Sequence, residues 1–399
     1  MQNSYNVIIV GGGPAGLSTA LHLQQIAPHL APHGTSSILI LEKARYPRPK
    51  LCAGGLVIDA EVLLAGLGLD VSEVPHVDAA KIRFDFEGRG LNFRMWKRHA
   101  LRVIRRDEFD NWLAKKAESR GIEIREGITV KNIVPDKDGV TVETNQAILR
   151  AQVVVGADGS NGVTRRIIFP TESVYTARLL EVLTPSHPPP NSENLGEVPA
   201  RRWGQGWEGV AYFDFFPVPN NIAGYVWDFP TQVKGQPMRC WGIYDTNMLA
   251  NVNRPQLKSP LAQEMSRLGF NLDDYELKGH PIRWFSPENQ MSAPRVLLVG
   301  DAAGADPLLG EGISIALGYG ALAAREISEA FQQEDFSFSG YKRQVLRSTL
   351  GQALLVRWSI AHLVYPLKWK WFQILVWRFL KPIVLFIANV FVLNWGKRI

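Results

Sequence analysis

NVIIVGGGPAG, residues 6–16, is a short apolar run rich in β-branched side chains that stops at three glycines. Such a run fills a parallel strand covered on both faces. LSTALHLQQI follows at 17–26, good helix formers with apolar residues at helical spacing, and SILIL at 37–41 is a second buried strand ending in Glu42. The unit is β-α-β. Gly11, Gly13 and Gly16 form GxGxxG in that context. The first glycine allows the tight turn, the second lets the backbone approach a pyrophosphate, and the third lets helix and strand pack. Pro14 and Ala15 open the helix, where amide donors and positive potential gather. The Glu42 carboxylate is placed to accept hydrogen bonds from ribose hydroxyls and to repel a ribose 2'-phosphate, so the site favours an adenosine without one. Residues 27–36, with two prolines, two histidines and a glycine, read as a long surface loop with solvated histidines, which accounts for the late position of Glu42.

Working outward, residues 106–120 (RDEFDNWLAKKAESR) place Phe109, Trp112, Leu113 and Ala117 on one face of an amphipathic helix. Strand-like runs follow at 129–134, 139–144 and 151–155, the last ending in Gly156-Ala157-Asp158-Gly159. From about 170 to 285 proline, glycine and aromatics dominate, and alternating runs at 209–216 and 222–229 predict antiparallel strands. RVLLVGD at 295–301 then restores the nucleotide-type pattern, followed by a glycine-rich turn and a helix over 313–330. The expected fold is α/β: a Rossmann-like domain over 1–78, 100–170 and 282–335, a mainly antiparallel sheet domain for substrate over 79–99 and 171–281, and a C-terminal helical tail over 336–399.

With 399 residues, 46% hydrophobic and 21% charged, the chain is globular and large enough for two domains. Its two cysteines, Cys52 and Cys240, exclude a disulfide framework, a zinc ribbon and an iron-sulfur cluster, so redox chemistry needs an organic cofactor. No metal site is expected. The net charge of +6 sits in the tail: residues 336–399 hold ten Lys or Arg and no acid, leaving 34 basic against 38 acidic residues elsewhere. No nucleic-acid partner is expected from such a body. The first five residues are uncharged and a strand begins at once, so a cytosolic start is expected.

GxGxxG does not choose between dinucleotides. Arg106 before a helix with Phe109 and Asp110, Asp158-Gly159 after one buried strand and Gly300-Asp301 after another resemble the paired signatures of flavoproteins built like para-hydroxybenzoate hydroxylase. The resemblance implies FAD, with Asp301 near its ribose and pyrophosphate and the turn AAGADPLLGEG (302–312) placing a helix N-terminus under the flavin. Taken alone, Asp158 or Asp301 would as often be a helix cap. PKLCAGG at 49–55 is similar to the lysine, cysteine and glycine segment of the geranylgeranyl reductase family, and YVWDFP at 225–230 to that family's motif lining a prenyl cavity. Ala53 stands where glycine is usual there, and Ile222 and Thr231 replace a proline and a lysine of the longer motif.

The resemblance implies reduction of double bonds in an isoprenoid or prenylated lipid by hydride from reduced flavin N5. Cys52, Tyr225 and Trp227 are the candidate catalytic residues. Gly11, Gly13, Pro14, Ala15, Gly16, Glu42, Lys43, Cys52, Ala53, Gly54, Arg106, Asp158, Gly159, Gly300, Asp301, Pro307, Gly310, Gly312 and Ile313 are the candidate cofactor contacts. NADPH or reduced ferredoxin is the expected electron donor. A monooxygenase of the same fold and a membrane-bound flavin electron-transfer protein are the alternatives; the spacing of WGQGW (203–207) argues against a halogenase. In the tail, Lys370, Gln373, Trp377 and Lys381 share a helix face with Arg378 at its margin, as in a helix lying at headgroup level. The uncharged run 383–395 has 13 residues, reaching ~20 Å against the ~30 Å hydrocarbon core. Peripheral or monotopic attachment on the cytoplasmic side is therefore expected, with a helical hairpin packed on the body or a dimer contact as the other outcomes.

Overall fold

The computed structural model describes residues 3–30, 37–173, 175–187, 209–249 and 254–399. Ser4–Val10 runs parallel to Ile38–Glu42 on one side and to Ile148–Gly156 on the other, and Val296–Leu298 extends the sheet beyond the latter. These strands are buried on both faces, as their unbroken Val/Ile/Leu runs require. Glu123–Glu126 closes one edge, and the antiparallel strands Val130–Asp136 and Gly139–Thr144 attach to Ile148–Gly156. Helices Pro14–Ile26 and Ile313–Gln333 lie against each other on this sheet, close enough that a Cβ on Gly320 would sit 2.5 Å from Ser18 Oγ.

A second sheet of seven strands runs in the order Lys278–Arg283, Thr176–Pro185, Gln236–Asp245, Gly224–Val233, Val210–Asp214, Lys81–Phe86, Arg89–Phe93. All its pairings are antiparallel except Val210–Asp214 with Lys81–Phe86. Between the two lies a small sheet of Gly55–Leu56, Leu101–Ile104 and His76–Ala79. It holds the 52–55 segment in place: Gly54, at φ +78, is so close to Ile104 that a Cβ would fall 1.9 Å from its carbonyl oxygen, while a Cβ at Gly55 would meet the Phe229 ring of the second sheet at 3.4 Å.

In the stretch read as a surface loop after the first helix, Pro28–Leu30 forms a short helical turn with Pro28 and His29 exposed, as expected, and Leu30 in the core; residues 31–36 lie outside the described residues, as does WGQGW. The tail departs further from the sequence reading. Gln373 and Trp377, expected at headgroup level, are buried: Trp377 stacks on Phe215 at 4.4 Å and its indole N–H donates to Gln373. The aromatic face beneath supplied a better partner than water. The outward side is instead Trp369, Trp371, Phe379, Ile383, Phe386 and Val390. The chain end folds back, with Trp395 buried and the Asn394 and Gly396 amides donating to Asp59.

Candidate functional site

One cavity of about 820 Å³ runs from the glycine turn after Ser4–Val10 to the inner face of the seven-stranded sheet. It lies near the top of the ~300–1,000 Å³ range usual for ligand sites.

At the first end, Gly11 takes φ +110, where a Cβ would stand 2.3 Å from the Ala157 carbonyl oxygen. Gly16 packs on the turn itself, its Cβ position 2.0 Å from Gly11 O. The helix opens at Pro14 with no acid in its first turn, so its free amides face the cavity unopposed. Glu42 ends its strand buried, accepting from the Gly12 and Ala44 amides at 2.9 Å each and pairing with Arg48 at 3.4 Å. Arg48 also reaches Asp110 at 3.3 Å, and Arg106 grips Asp110 bidentately at 2.8 and 2.9 Å. Burial works against the Arg106 charge, yet the adjoining Asp110 carboxylate raises its pKa well above the ordinary value.

The two further acid turns meet here. Asp158 caps Val163–Ile168, accepting from the Thr164 amide and hydroxyl, and burial raises its pKa. Asp301 accepts from Ser160 Oγ at 3.3 Å, and Arg165 Nε donates to Ala302 O, locking the turns together. The 306–312 turn is held by three side chains from two other elements. Tyr225 OH donates to Leu309 O, Tyr365 OH to Leu308 O at 2.6 Å, and Arg357 pairs with Asp306 at 3.0 Å and Glu311 at 3.3 Å. Gly310, at φ +67, lets Tyr244 come within 2.8 Å of its Cβ position.

At the far end the cavity is apolar. Tyr225, Trp227, Phe229, Phe213 and Phe84 lie on one face, Phe84 and Phe213 stacked at 5.0 Å, with Ala388 and Leu393 of the tail completing the wall. Between the ends lies Cys52, half-buried, its sulfur accepting from the Gly54 amide at 3.4 Å; burial pushes the thiol up, so it stays protonated at neutral pH. Lys50 Nζ is 2.6 Å from His280 Nε2, and desolvation lowers both, His280 to about 4.

Sixteen of the nineteen sequence-derived cofactor candidates line this cavity, and so do Tyr225 and Trp227. Gly16, Gly300 and Pro307 do not; each sits one layer behind, Gly16 and Gly300 packing helix against strand and Pro307 lying inside the turn it shapes. Sequence reading missed Arg48, Glu181, Tyr244, His280 and Glu311. Of these, Glu181 carried a signal: it is a lone acid in TARLLEVLTP, in register with Leu179 and Leu183.

Residues 4–202 match the FAD binding domain family. An uncharacterised protein of Methanosarcina barkeri is 27% identical over 87% of this chain and 81% of its own length. Digeranylgeranylglycerophospholipid reductase of Thermoplasma acidophilum is 26% identical over 84% and 81%. Among solved structures, a geranylgeranyl bacteriochlorophyll reductase-like protein of Thermoplasma acidophilum superposes with TM-score 0.72 at 21% identity, covering 92% of this chain and 88% of that one. The fold recurs in a flavin-dependent halogenase and in p-nitrophenol 4-monooxygenase of Pseudomonas putida, at TM-scores 0.65 and 0.66.

Proposed function

Because the chain is an FAD-binding oxidoreductase similar to geranylgeranyl reductases, we propose that it reduces carbon-carbon double bonds of an isoprenoid or prenylated lipid. The observation carrying this reading is that a single cavity joins the glycine-lined turn to a wall of aromatic rings. The residues fit the cofactor: where a Cβ at Gly11 or Gly54 would strike backbone, the chain keeps glycine and the cavity stays open. The pyrophosphate would lie over Gly11, Gly13 and the start of Pro14–Ile26, the ribose by Glu42, and the ring system between Cys52–Gly54 and Gly310–Ile313. FAD, once reduced, supplies a hydride equivalent. The protein's own part is to hold the alkene on Tyr225, Trp227 and Phe213, keep water out, and fix the 306–312 turn through Tyr225, Tyr365 and Arg357. With its hydroxyl donated to Leu309, Tyr225 serves as wall and strut. We take NADPH or a reduced ferredoxin as the electron donor.

The flavoprotein, photoreduced under nitrogen, is expected to be reoxidised on adding geranylgeranyl lipids. Reoxidation only with oxygen and an aromatic substrate would replace this reading with a monooxygenase, and reoxidation by no substrate would replace it with an electron-transfer protein.

We further propose that the tail rests on a membrane surface on the cytoplasmic side. No single described helix is long and apolar enough to cross a bilayer, and Lys370–Phe379 and Lys381–Val390 meet at 77°. Trp371, Phe379, Ile383 and Phe386 are each more than half exposed, on a segment with basic residues and no acid. That combination suits an anionic interface. Replacing Ile383 and Phe386 together by glutamate is expected to lower co-sedimentation with phosphatidylglycerol vesicles at least about tenfold; undiminished binding would refute the docking face.

A further inference from the structure

Among the described residues, Glu181 is the one acid on the cavity face of the seven-stranded sheet. Strand register puts Glu181, Gly242, Trp227, Phe213 and Phe84 in a row across five strands, hence on one face. Gly242 opens the row: a Cβ there would fall 2.1 Å from the Trp227 ring, so the indole lies over Gly242, in the space between the Trp227 and Glu181 strands. The Glu181 side chain lines the cavity at 7% exposure, and its Oε2 has no hydrogen-bond partner. The buried Asp110, Asp228 and Asp306 are each paired with an arginine, Arg106, Arg239 and Arg357. Among the described residues Glu181 has no cation within ion-pair distance. A carboxyl placed so is better kept as the neutral acid, which has a proton to give.

We propose that Glu181 is the proton donor of this site, a role that rests on the reductase reading. As hydride from the reduced cofactor forms a C–H bond at one alkene carbon, the π pair takes the Glu181 proton at the other carbon. The O–H bond breaks, both reducing electrons come from the hydride, and water reprotonates the carboxylate before the next turnover. Burial pushes the Glu181 carboxyl up to about 7, while Arg105, Lys278 and the backbone of Cys52 hold it back; the Cys52 and Cys240 thiols, themselves raised by burial, also face it. The acid form is the active one, so the rate falls as pH rises through about 7.

The test compares wild type, Glu181→Gln and Glu181→Asp as FAD-loaded proteins photoreduced under nitrogen and mixed with a geranylgeranyl lipid. Glu181→Gln is expected to bind FAD and lipid unchanged, to reoxidise ~10²–10⁴-fold more slowly, and to lose the fall above neutrality; Glu181→Asp recovers part of the rate. An independent reading comes from infrared titration without substrate, in which a protonated-carboxyl band disappears with a midpoint near 7 and is missing from Glu181→Gln. Reoxidation of Glu181→Gln at the wild-type rate, or a Glu181 already ionised at pH 5 in the infrared, overturns the assignment. A wild type that no alkene reoxidises overturns the reductase reading first and this one with it.

Discussion

Gly16→Ala is expected to yield a colourless protein. The added methyl would sit 2.0 Å from Gly11 O and 3.0 Å from Ile9 Cγ2, neither of which is a flexible side-chain end. The start of Pro14–Ile26 must therefore move off the turn that it shapes. Overpacking of this kind costs about 1–3 kcal/mol, corresponding to a binding constant weakened by roughly ten- to a hundredfold where the strain falls on the bound geometry. Gly13→Ala separates packing from ligand approach. A Cβ at Gly13 meets only Arg48 Nη2, at 3.7 Å, so this variant is expected to keep its melting temperature and lose FAD, while Gly16→Ala loses both. Flavin absorbance and thermal unfolding of the pair decide it; a yellow, stable Gly16→Ala would mean that the cofactor does not lean on this turn.

Arg357→Met is expected to be the most destabilising single change in the tail. Arg357 is 2% exposed, held by Asp306 with no exposure at all and by Glu311. Removing one partner of a buried pair typically costs about 3–5 kcal/mol because the remaining charge is stranded. Here the stranded group anchors the 306–312 turn, so flavin affinity should fall along with stability. Adding Asp306→Asn should return part of both, measured by denaturant unfolding and flavin titration. Equal losses in the single and double variants would show that the pair does not carry the turn. The same contact means that truncation after Asp335 would strip the core as well as any membrane face, which is why surface substitutions test docking more cleanly.

The nucleotide half of the fold was legible because its elements declare themselves locally. Buried parallel strands have unbroken apolar runs, and each glycine turn follows one of them; helix 106–120 was found as Arg106–Ser119, and strand 139–144 matched to the residue. Tyr225 and Trp227 were placed on one face by alternation, and register confirms it. What escaped the sequence were pairings between distant segments. Arg357 looked like one of ten tail cations, and only the folded chain brings it to Asp306, 51 positions away. Trp377 followed helical spacing onto a polar face, but the rings of Phe84 and Phe215 gave it a partner no local pattern records. Glu181 stood out as a lone acid in TARLLEVLTP, but its facing was not legible. A single acid in a strand reads as solvent-facing until the sheet is closed over it.

The most direct measurement is a crystal structure of the FAD-loaded protein with a saturated geranylgeranyl analogue. The ring system is expected between Cys52–Gly54 and Gly310–Ile313, with the chain laid along Trp227, Phe213 and Phe84 and one branch point within reach of Glu181. Density for the lipid only against Ile383 and Phe386 on the outer face, with the aromatic end of the cavity empty, would contradict that placement.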